Sequence, residues 1–285
     1  MIADRMIARC PIGCDGELTE TNLTLPEGNL LRCAVCGQLV SQISESAYTA
    51  SMAEFDTTTG TLPTASTQRR HDQRAAQMFS TLKAMLNVRD GSRLRLLDIG
   101  CSTGALLMTA RQHGIDAEGV EPAERAARAA QSAGLKVVPG TLIEAAYPSD
   151  SFQAATLMEV IEHLSQPGDV LQEVWRVLEP NGILVVGTGN AASWTVQFMR
   201  GGWDYFQVSR HGGHISFFTP GSLTRLAARC GFRIDRLETR RVEFVGSYQA
   251  SPVVYRSLKI LGEVLNPPAR LLNRGHDMRA FLRKV

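Results

Sequence analysis

The stretch Leu94-Arg-Leu-Leu-Asp98-Ile-Gly100-Cys-Ser-Thr-Gly104-Ala-Leu-Leu decides the fold, and the rest of the chain is placed around it. Its aliphatic opening is long enough for a buried strand, and its continuation from Ala105 to His113 has the composition of a helix. The glycines between them permit a tight turn and let a ligand approach the backbone, while the first N–H groups of the helix lack partners within it. The stretch therefore predicts a strand, a glycine turn and a helix that can hold a ligand.

This turn differs from two common phosphate-binding loops. The spacing Asp98-x-Gly100-x-x-x-Gly104 does not fit the pattern G-x-G-x-x-G, and the Lys-Ser/Thr pair of a P-loop is missing. Further along, the second predicted strand, Ala117-Glu-Gly-Val-Glu121, ends in an acidic residue followed by Pro122. A carboxylate at that position accepts hydrogen bonds from ribose hydroxyls, so the pair of features indicates a ligand that carries a ribose.

Two later segments complete a recognisable series: Phe152-Gln-Ala-Ala-Thr-Leu-Met-Glu159-Val-Ile-Glu162-His163-Leu and Glu173-Val-Trp-Arg-Val-Leu-Glu-Pro-Asn-Gly182. From roughly Gln68 to Phe232, the chain resembles the class I S-adenosylmethionine-dependent methyltransferases. The resemblance implies a Rossmann-like, doubly wound α/β fold with a mostly parallel, seven-stranded sheet in the order 3-2-1-4-5-7-6 and S-adenosylmethionine as cofactor. The alternation of predicted strands and helices also calls for a parallel sheet. The implied cofactor residues are Asp98, Gly100, Cys101, Gly104, Glu121, Pro122, Thr141, Leu142 and Glu159.

The chain departs from the family pattern at two positions. Thr141 stands where many relatives carry an acidic residue that contacts the adenine, so this contact is expected from Thr141, from backbone groups near Leu142, or from Glu144. Gln153 replaces an aspartate, and we expect that change to affect folding contacts more than chemistry. His163 is a candidate catalytic base, and the alternative is that it pins its loop through a backbone hydrogen bond.

Four of the six cysteines lie near the start of the chain, as Cys10-Pro-Ile-Gly-Cys14 and Cys33-Ala-Val-Cys36. Two such pairs on either side of a hairpin-like segment predict a zinc ribbon over residues 1–40, with Cys10, Cys14, Cys33 and Cys36 as ligands. Four cysteines leave no open coordination position, so this zinc is expected to be structural. A reducing compartment disfavours the alternative of disulfides. Docking of a substrate or partner is a second role open to the ribbon.

Composition limits the partners of the protein. A formal charge of +2 in 285 residues is too small to indicate a nucleic-acid partner. The sequence lacks an apolar run near the roughly 20 residues of a transmembrane helix. The apolar core of a signal peptide is also missing, which predicts a cytoplasmic protein. The sequence leaves the oligomeric state undecided.

Domain boundaries follow from changes in composition. Residues 41–67 are predicted to be a linker that acts either as a lid over the cofactor or as a plain tether, and residues 68–243 form the methyltransferase core, which starts with a helix. Residues 244–275 are a helical insertion that Pro267-Pro268 is expected to break, and residues 276–285 are the final strand. The apolar stripe of the insertion either seals the substrate pocket, forms a dimer contact, or touches a membrane surface through residues 253–272.

The acceptor site is predicted between Gly201 and Pro220, where aromatic residues, glycines and two histidines concentrate. His211 and His214 are candidate bases, or clamps that hold the loop. Pocket walls are expected from Trp203, Tyr205 and Phe206, with core packing as the alternative. The predicted function is methyl transfer to oxygen, nitrogen or carbon of a small-molecule or saccharide acceptor. The alternatives are an RNA or protein methyltransferase, or a regulatory protein that binds the cofactor without turnover.

Overall fold

The computed structural model describes residues 5–58, 60–88, 93–207, 213–244 and 251–285. Within these ranges, the strands are β1 (Leu18–Leu25), β2 (Gly28–Cys33), β3 (Leu39–Val40), β4 (Arg95–Ile99), β5 (Asp116–Glu121), β6 (Val137–Pro139), β7 (Phe152–Met158), β8 (Leu178–Gly189), β9 (Ser216–Phe217), β10 (Phe232–Arg240) and β11 (Asp277–Lys284). The α-helices are α1 (Glu45–Thr58), α2 (Ala65–Met85), α3 (Ala105–Gln112), α4 (Glu124–Ser132), α5 (Leu142–Ala145), α6 (Pro167–Val177), α7 (Trp194–Met199), α8 (Pro220–Arg229) and α9 (Pro252–Leu271).

The central sheet has seven strands in the order β10-β11-β8-β7-β4-β5-β6. Its strands β8, β7, β4, β5 and β6 pair in parallel, and β11 pairs antiparallel with both β8 and β10. The predicted order 3-2-1-4-5-7-6 and the antiparallel last strand are therefore confirmed.

Helices cover both faces of this sheet. Successive side chains of a strand point to opposite faces, and in β4 Leu97 and Ile99 join one buried cluster while Leu96 joins another. The second cluster is closed by α2, whose buried side chains are Ala75, Met78, Phe79 and Leu82. Helix α2 begins earlier than the composition suggested because the Thr64 side chain caps it, accepting a hydrogen bond from the Thr67 N–H.

A second sheet joins the N-terminal region to the core. Its order is β1-β2-β3-β9, so three strands of the predicted zinc ribbon continue into a strand that lies nearly two hundred residues later in the chain. Leu39 pairs with Phe217 and Val40 with Ser216. Buried side chains of both regions form one cluster, including Leu30, Val40, Ile215 and Phe217. The ribbon therefore packs directly on the segment predicted to bind the acceptor.

The expected break at Pro267-Pro268 was wrong, because α9 runs through both prolines. Proline removes an N–H donor but has a φ value that a helix accepts. Contacts on either side hold the chain in this conformation. The Asn266 side chain accepts a hydrogen bond from the Val242 N–H at 2.7 Å, and the Ala269 carbonyl accepts one from the Arg274 N–H at 2.7 Å. These bonds fix the chain on either side of the two prolines.

Helix α9 presents an apolar stripe to solvent. Val253, Ile260, Val264 and Leu271 are 60–85% exposed and recur at helical spacing. The neighbouring stripe that was predicted from the sequence comprises Val254, Leu258, Leu261 and Leu265. Of these, Leu258 and Leu265 are half-buried, whereas Val254 and Leu261 are 49% and 45% exposed. In the part of the chain that the structure describes, helices long enough to cross a membrane are not apolar enough to do so.

Candidate cofactor and acceptor site

The turn after β4 requires glycine at two positions, 100 and 104. Gly100 and Gly104 have φ values of +70° and +82°, a region that other residues rarely adopt. A Cβ atom on Gly100 would lie 2.5 Å from Cγ2 of Val160, and one on Gly104 would collide with Leu135. Neither residue has a side chain to cover the backbone, so a ligand can approach it closely. Helix α3 begins directly after Gly104.

Glu121 ties the turns after β4 and β5 together. One carboxylate oxygen accepts a hydrogen bond from the Ser102 N–H and the other accepts one from the Ala123 N–H, both at 2.8 Å. The residue is 7% exposed, and Pro122 next to it is open to solvent. A carboxylate oxygen can accept more than one hydrogen bond, so these two bonds do not by themselves exclude the hydroxyl groups of a ligand as further donors.

Asp98 lies beneath the turn as a buried carboxyl group, 4% exposed. Burial raises its pKa to about 7, with the negative charge of Glu121 adding to the effect and a hydrogen bond from Thr156 opposing it. The Thr156 hydroxyl donates that bond at 2.7 Å. Burial also raises the pKa of the neighbouring Cys101 thiol, which makes Cys101 a neutral wall residue and not a nucleophile.

The segment predicted to contact the adenine starts α5 at the end of β6. Thr141 caps this helix, and its N–H and hydroxyl both donate to the Glu144 carboxylate at 2.8 Å. These bonds lower the pKa of Glu144. The Leu142 side chain is buried. Thr141 and Glu144 are therefore hydrogen-bonded to each other.

Two glutamates lie at the carboxyl end of β7. Glu159 has a φ value of +57° and reaches solvent, and its N–H donates to the Gly187 carbonyl at 2.8 Å. Glu162 is fully buried, and its carboxylate accepts a hydrogen bond from the Thr188 hydroxyl at 3.0 Å. In a parallel sheet, ligands bind outside the carboxyl ends of the strands, so these residues face the same region as the glycine turn.

The surroundings of the two glutamates favour the protonated form of their carboxyl groups. Burial raises the pKa of Glu162 to about 7. Although part of Glu159 reaches solvent, the protein atoms around its carboxyl group raise its pKa well above the ordinary range, and the charges of Glu162 and Asp277 raise it further. Two nearby carboxyl groups in a region of low polarity cannot both ionise readily. The two carboxyl groups therefore ionise less readily than isolated glutamates do.

His163 and His214 lie together beside Glu162. Their ring centroids are 4.7 Å apart, and His214 Nε2 is 4.0 Å from the Glu162 carboxylate. His214 is buried, with Nδ1 3.0 Å from the Tyr205 carbonyl, whereas His163 is half-buried. Of the predicted bases, His163 is therefore more accessible to solvent than His214. His211 lies outside the described residues.

Tyr48 links α1 to this cluster, because its hydroxyl donates to the His163 carbonyl at 2.9 Å. The segment predicted to be a linker or lid therefore contacts the candidate acceptor site.

The three predicted wall residues have different surroundings. Trp203 and Phe206 are fully buried, as the core-packing alternative expects, while Tyr205 is half-buried. Trp203 stacks on Tyr205 with centroids 5.0 Å apart and donates from Nε1 to His276 Nδ1 at 3.4 Å. Within this cluster, only Tyr205 can offer ring surface to an acceptor.

Sequence reasoning missed several residues of the site. Glu162 has a signal that could have found it, since it follows Glu159 by three residues in a turn. Asn190 is buried and donates to the carbonyls of Asn273 and Gly275, and His276 contacts Trp203, but nothing in the sequence relates these distant positions.

Among the residues that the structure describes, two groups could hold a metal ion. Cys10, Cys14, Cys33 and Cys36 have sulfur atoms within 4.8 Å of one another, with neighbouring pairs 3.3–3.4 Å apart. Turns closed by the N–H groups of Gly13 and Gly37 bring each pair together. Four thiolates in this arrangement fit a tetrahedral zinc ion and support the predicted zinc module. Glu162, His163 and His214 form the other group, with one ligand atom each within the same distance.

Comparison with known proteins agrees with this geometry. A family model described as a methyltransferase domain matches residues 69–237. The chain belongs to this methyltransferase family. S-adenosylmethionine is the cofactor of such methyltransferases. The turn after β4 fits this cofactor because Gly100 and Gly104 leave the backbone accessible, and Glu121 fits it because its carboxylate can accept hydrogen bonds from the ribose hydroxyls.

Curated relatives match part of the methyltransferase. The ubiquinone biosynthesis O-methyltransferase of Azorhizobium caulinodans is 33% identical over 153 residues, which cover 50% of this chain and 60% of that protein. The protein of the same name from Rhodopseudomonas palustris is 36% identical over 104 residues, covering 35% of this chain and 41% of the relative. The methyltransferase thus aligns with about half the length of these relatives.

Solved structures agree with the fold of the methyltransferase. A structure of an S-adenosylmethionine-dependent methyltransferase from Archaeoglobus fulgidus superposes with a TM-score of 0.54 at 20% identity, covering 76% of this chain and 94% of that one. A sarcosine dimethylglycine methyltransferase structure from Galdieria sulphuraria gives 0.52 at 18% identity, covering 77% and 87%. These likenesses establish the fold.

Proposed function

We propose that this methyltransferase transfers a methyl group from S-adenosylmethionine to a hydroxyl group of a small aromatic molecule. The observation that carries the proposal is the cluster of Glu159, Glu162, His163 and His214 at the carboxyl end of β7, on the same edge of the sheet as Glu121. The names of the aligned relatives, which are O-methyltransferases, support an oxygen acceptor.

The bound cofactor supplies an electrophilic methyl group on a sulfonium. Glu121 holds the ribose through the acceptor capacity of its two oxygens, and the bare backbone at Gly100 and Gly104 lets the cofactor lie against the turn. Residues near Thr141 and Leu142 border the adenine. Such positioning is the largest part of catalysis in a direct displacement, because the reacting atoms must be aligned.

His163 is the group proposed to take the proton of the acceptor hydroxyl. It is half-buried and accessible, whereas His214 and Glu162 are buried and act by holding it in place. Neutral imidazole accepts a proton near pH 7, and the solvent-accessible Glu159 can hydrogen-bond the same hydroxyl. The half-buried ring of Tyr205, which packs on His214 with centroids 4.9 Å apart, offers a surface for an aromatic acceptor.

The cofactor assignment is tested by calorimetric titration with S-adenosylmethionine and S-adenosylhomocysteine. Glu121→Ala should weaken both by about 10- to 100-fold, since charge-assisted hydrogen bonds contribute roughly 1.5–3 kcal/mol each. Glu124→Ala, a change of the same charge at an exposed neighbouring position, is the control and should leave affinity unchanged. Equal affinity of the Glu121→Ala and wild-type proteins would remove the assignment.

The base assignment is tested by methyl transfer to a panel of phenols, catechols and monosaccharides. His163→Gln should lower kcat by about 10²- to 10⁴-fold, the usual contribution of a general base, while leaving S-adenosylhomocysteine affinity intact. His71→Gln, an exposed histidine on α2, is the matched control. If the protein methylated only saccharides, the proposed acceptor would be a sugar and not an aromatic molecule. Full activity of His163→Gln would exclude His163 as the base.

A further inference from the structure

We infer that a second ligand site, separate from the methyl-transfer site, lies in a cleft where the zinc ribbon meets the segments that follow β8 and α9. We call it the arginine cleft, and define it by Arg32 on β2, Arg200 at the end of α7 and Arg274 after α9, which all line one cavity of about 620 Å³. The ligand it fits is a small organic molecule with several negative charges.

The arginine cleft is distinct from the site described above. Its walls come from β1, β2 and β3 of the ribbon, from α7, and from the start of α8. Glu159, Glu162, His163 and His214 do not line it. Ala191 and Ala192, which do line it, follow directly after β8, and the cleft meets the predicted acceptor segment only at the end of that segment, through Thr219 and Pro220.

The charged residues that line the cleft are all positive. Three arginines line the cavity, and its lining includes no aspartate or glutamate. The guanidinium groups of Arg200 and Arg274 donate to the backbone carbonyls of Asn22 and Ala192. Among the residues that the structure describes, none pairs as a carboxylate with Arg32, Arg200 or Arg274. This concentration stands out in a chain with a formal charge of only +2. Like charges gathered without a counter-charge repel one another, so a bound anion would lower the energy of the cleft.

The backbone holds one of these arginines in an unusual conformation. Arg200 has φ and ψ values of +50° and −127°, outside the regions that non-glycine residues prefer. Its guanidinium group approaches the Asn22 carbonyl of the ribbon at 3.4 Å. Such outliers occur where surrounding structure over-determines a residue, often at ligand sites. The strained turn and the ribbon contact together direct Arg200 across the cleft.

The start of α8 adds to the positive potential. Pro220 and Gly221, the first residues of this ten-residue helix, line the cleft. The N-terminus of a helix carries a partial positive charge. It thus reinforces the three arginines, which come from three separate elements.

The side chains indicate the chemistry of the ligand. Guanidinium groups bind phosphate and carboxylate oxygens in a bidentate manner. A volume of 620 Å³ lies within the range of pockets that hold metabolite-sized molecules, so there is room for an organic body beside the anionic groups. The Asn22 and Gln197 side chains at the wall can hydrogen-bond that body.

Calorimetric titration of the full, zinc-loaded chain with pyrophosphate and, separately, with citrate tests the site. Binding of either anion at low ionic strength is expected, and the stronger of the two identifies phosphate or carboxylate as the preferred group. Arg32→Gln and Arg200→Gln should each weaken binding about tenfold or more. Arg32 is chosen because its side chain is exposed, and its replacement should leave the fold intact.

Arg111→Gln, an exposed arginine on α3 outside the cleft, removes the same charge and is the control. It should leave both affinities unchanged. No heat of binding with either anion at millimolar concentration would overturn the inference. An equal loss of affinity in Arg111→Gln would also overturn it, because attraction by net charge would then explain the binding. Methyl transfer by the cleft variants is a separate measurement, so failure of this site and failure of the proposed function are distinguishable.

Discussion

At the level of the residue, Asp98 is a carboxyl group that the fold has removed from water. Its pKa rises from 3.8 to about 7, mainly through burial, although Thr156 stabilises the charged form by a hydrogen bond. The folded protein therefore binds a proton at Asp98 over a pH range in which the unfolded chain has already released it. Stability consequently depends on pH in the direction opposite to that of an ordinary salt-bridged aspartate.

The substitution Asp98→Asn should flatten this pH dependence. In the wild-type protein without cofactor, Asp98 makes the free energy of unfolding fall as pH rises from about 4 to 7 and adds no further change above that, a loss of up to about 4 kcal/mol for a shift of three units. The asparagine side chain cannot ionise, and it keeps a polar group beside Thr156. Urea unfolding at several pH values measures the slope. An identical slope in wild type and Asp98→Asn would contradict the raised pKa.

The residues predicted to bind the cofactor are linked by a local sequence pattern, whereas those of the candidate acceptor site are not. Asp98, Gly100 and Gly104 are close in sequence, so a local pattern was enough to bring them together. His276 reaches Trp203 only because β11 pairs with β8 in a register that sets Asp277 opposite Gly189. A long-range register of this kind has no local signal.

At the level of the element, the short pairing of β3 with β9 connects the ribbon to the acceptor segment. The Ser41 N–H donates to the Ile215 carbonyl at 3.0 Å, and the Ile215 N–H donates to the Glu162 carbonyl at 2.9 Å. Ile215 is therefore held between the ribbon and the cluster of Glu162, His163 and His214. The sequence predicted the four cysteines of the ribbon from their spacing, but two-residue strands such as β3 and β9 are too short to show a periodicity.

Loss of zinc should loosen the acceptor segment and spare the cofactor fold. Cys33→Ser should lower the zinc content and the hydrogen-exchange protection of the Ser41 and Ile215 amides, because the metal stabilises the ribbon that holds them. Amides of β4 and β7 should stay protected, and S-adenosylhomocysteine affinity should stay unchanged. Cys230→Ser, the same change at a buried cysteine outside the cluster, is the control. Full protection of Ile215 in a zinc-free protein would contradict this coupling.

At the level of the whole molecule, the described part of the chain leaves the apolar stripe of α9 uncovered. Its residues Val253, Ile260, Val264 and Leu271 follow one helix face, and such patches commonly mark association sites. The composition predicted an amphipathic helix here. Which of its stripes faces the protein depends on Gly262 and Ala269, the two buried residues through which α9 packs. That choice could not be predicted from the helix alone.

Self-association through this stripe is expected. The double variant Ile260→Glu, Val264→Glu should sediment as a smaller species than the wild type at the same concentration, because charges on an apolar contact must be desolvated. The charged control is Lys259→Glu, which alters α9 at an exposed position outside the stripe. Analytical ultracentrifugation measures the difference. A wild-type protein that remains monomeric at high concentration would contradict a dimer contact and direct attention to binding of lipid vesicles.

The position of β11 in the central sheet also has a consequence during synthesis on the ribosome. This strand lies between β8 and β10 although, of the strands described, it is the last to leave the ribosomal exit tunnel. Until then β8 and β10 have no neighbour on their facing sides, and unpaired strand edges promote aggregation. The nascent protein therefore exposes these two strand edges until β11 has been translated.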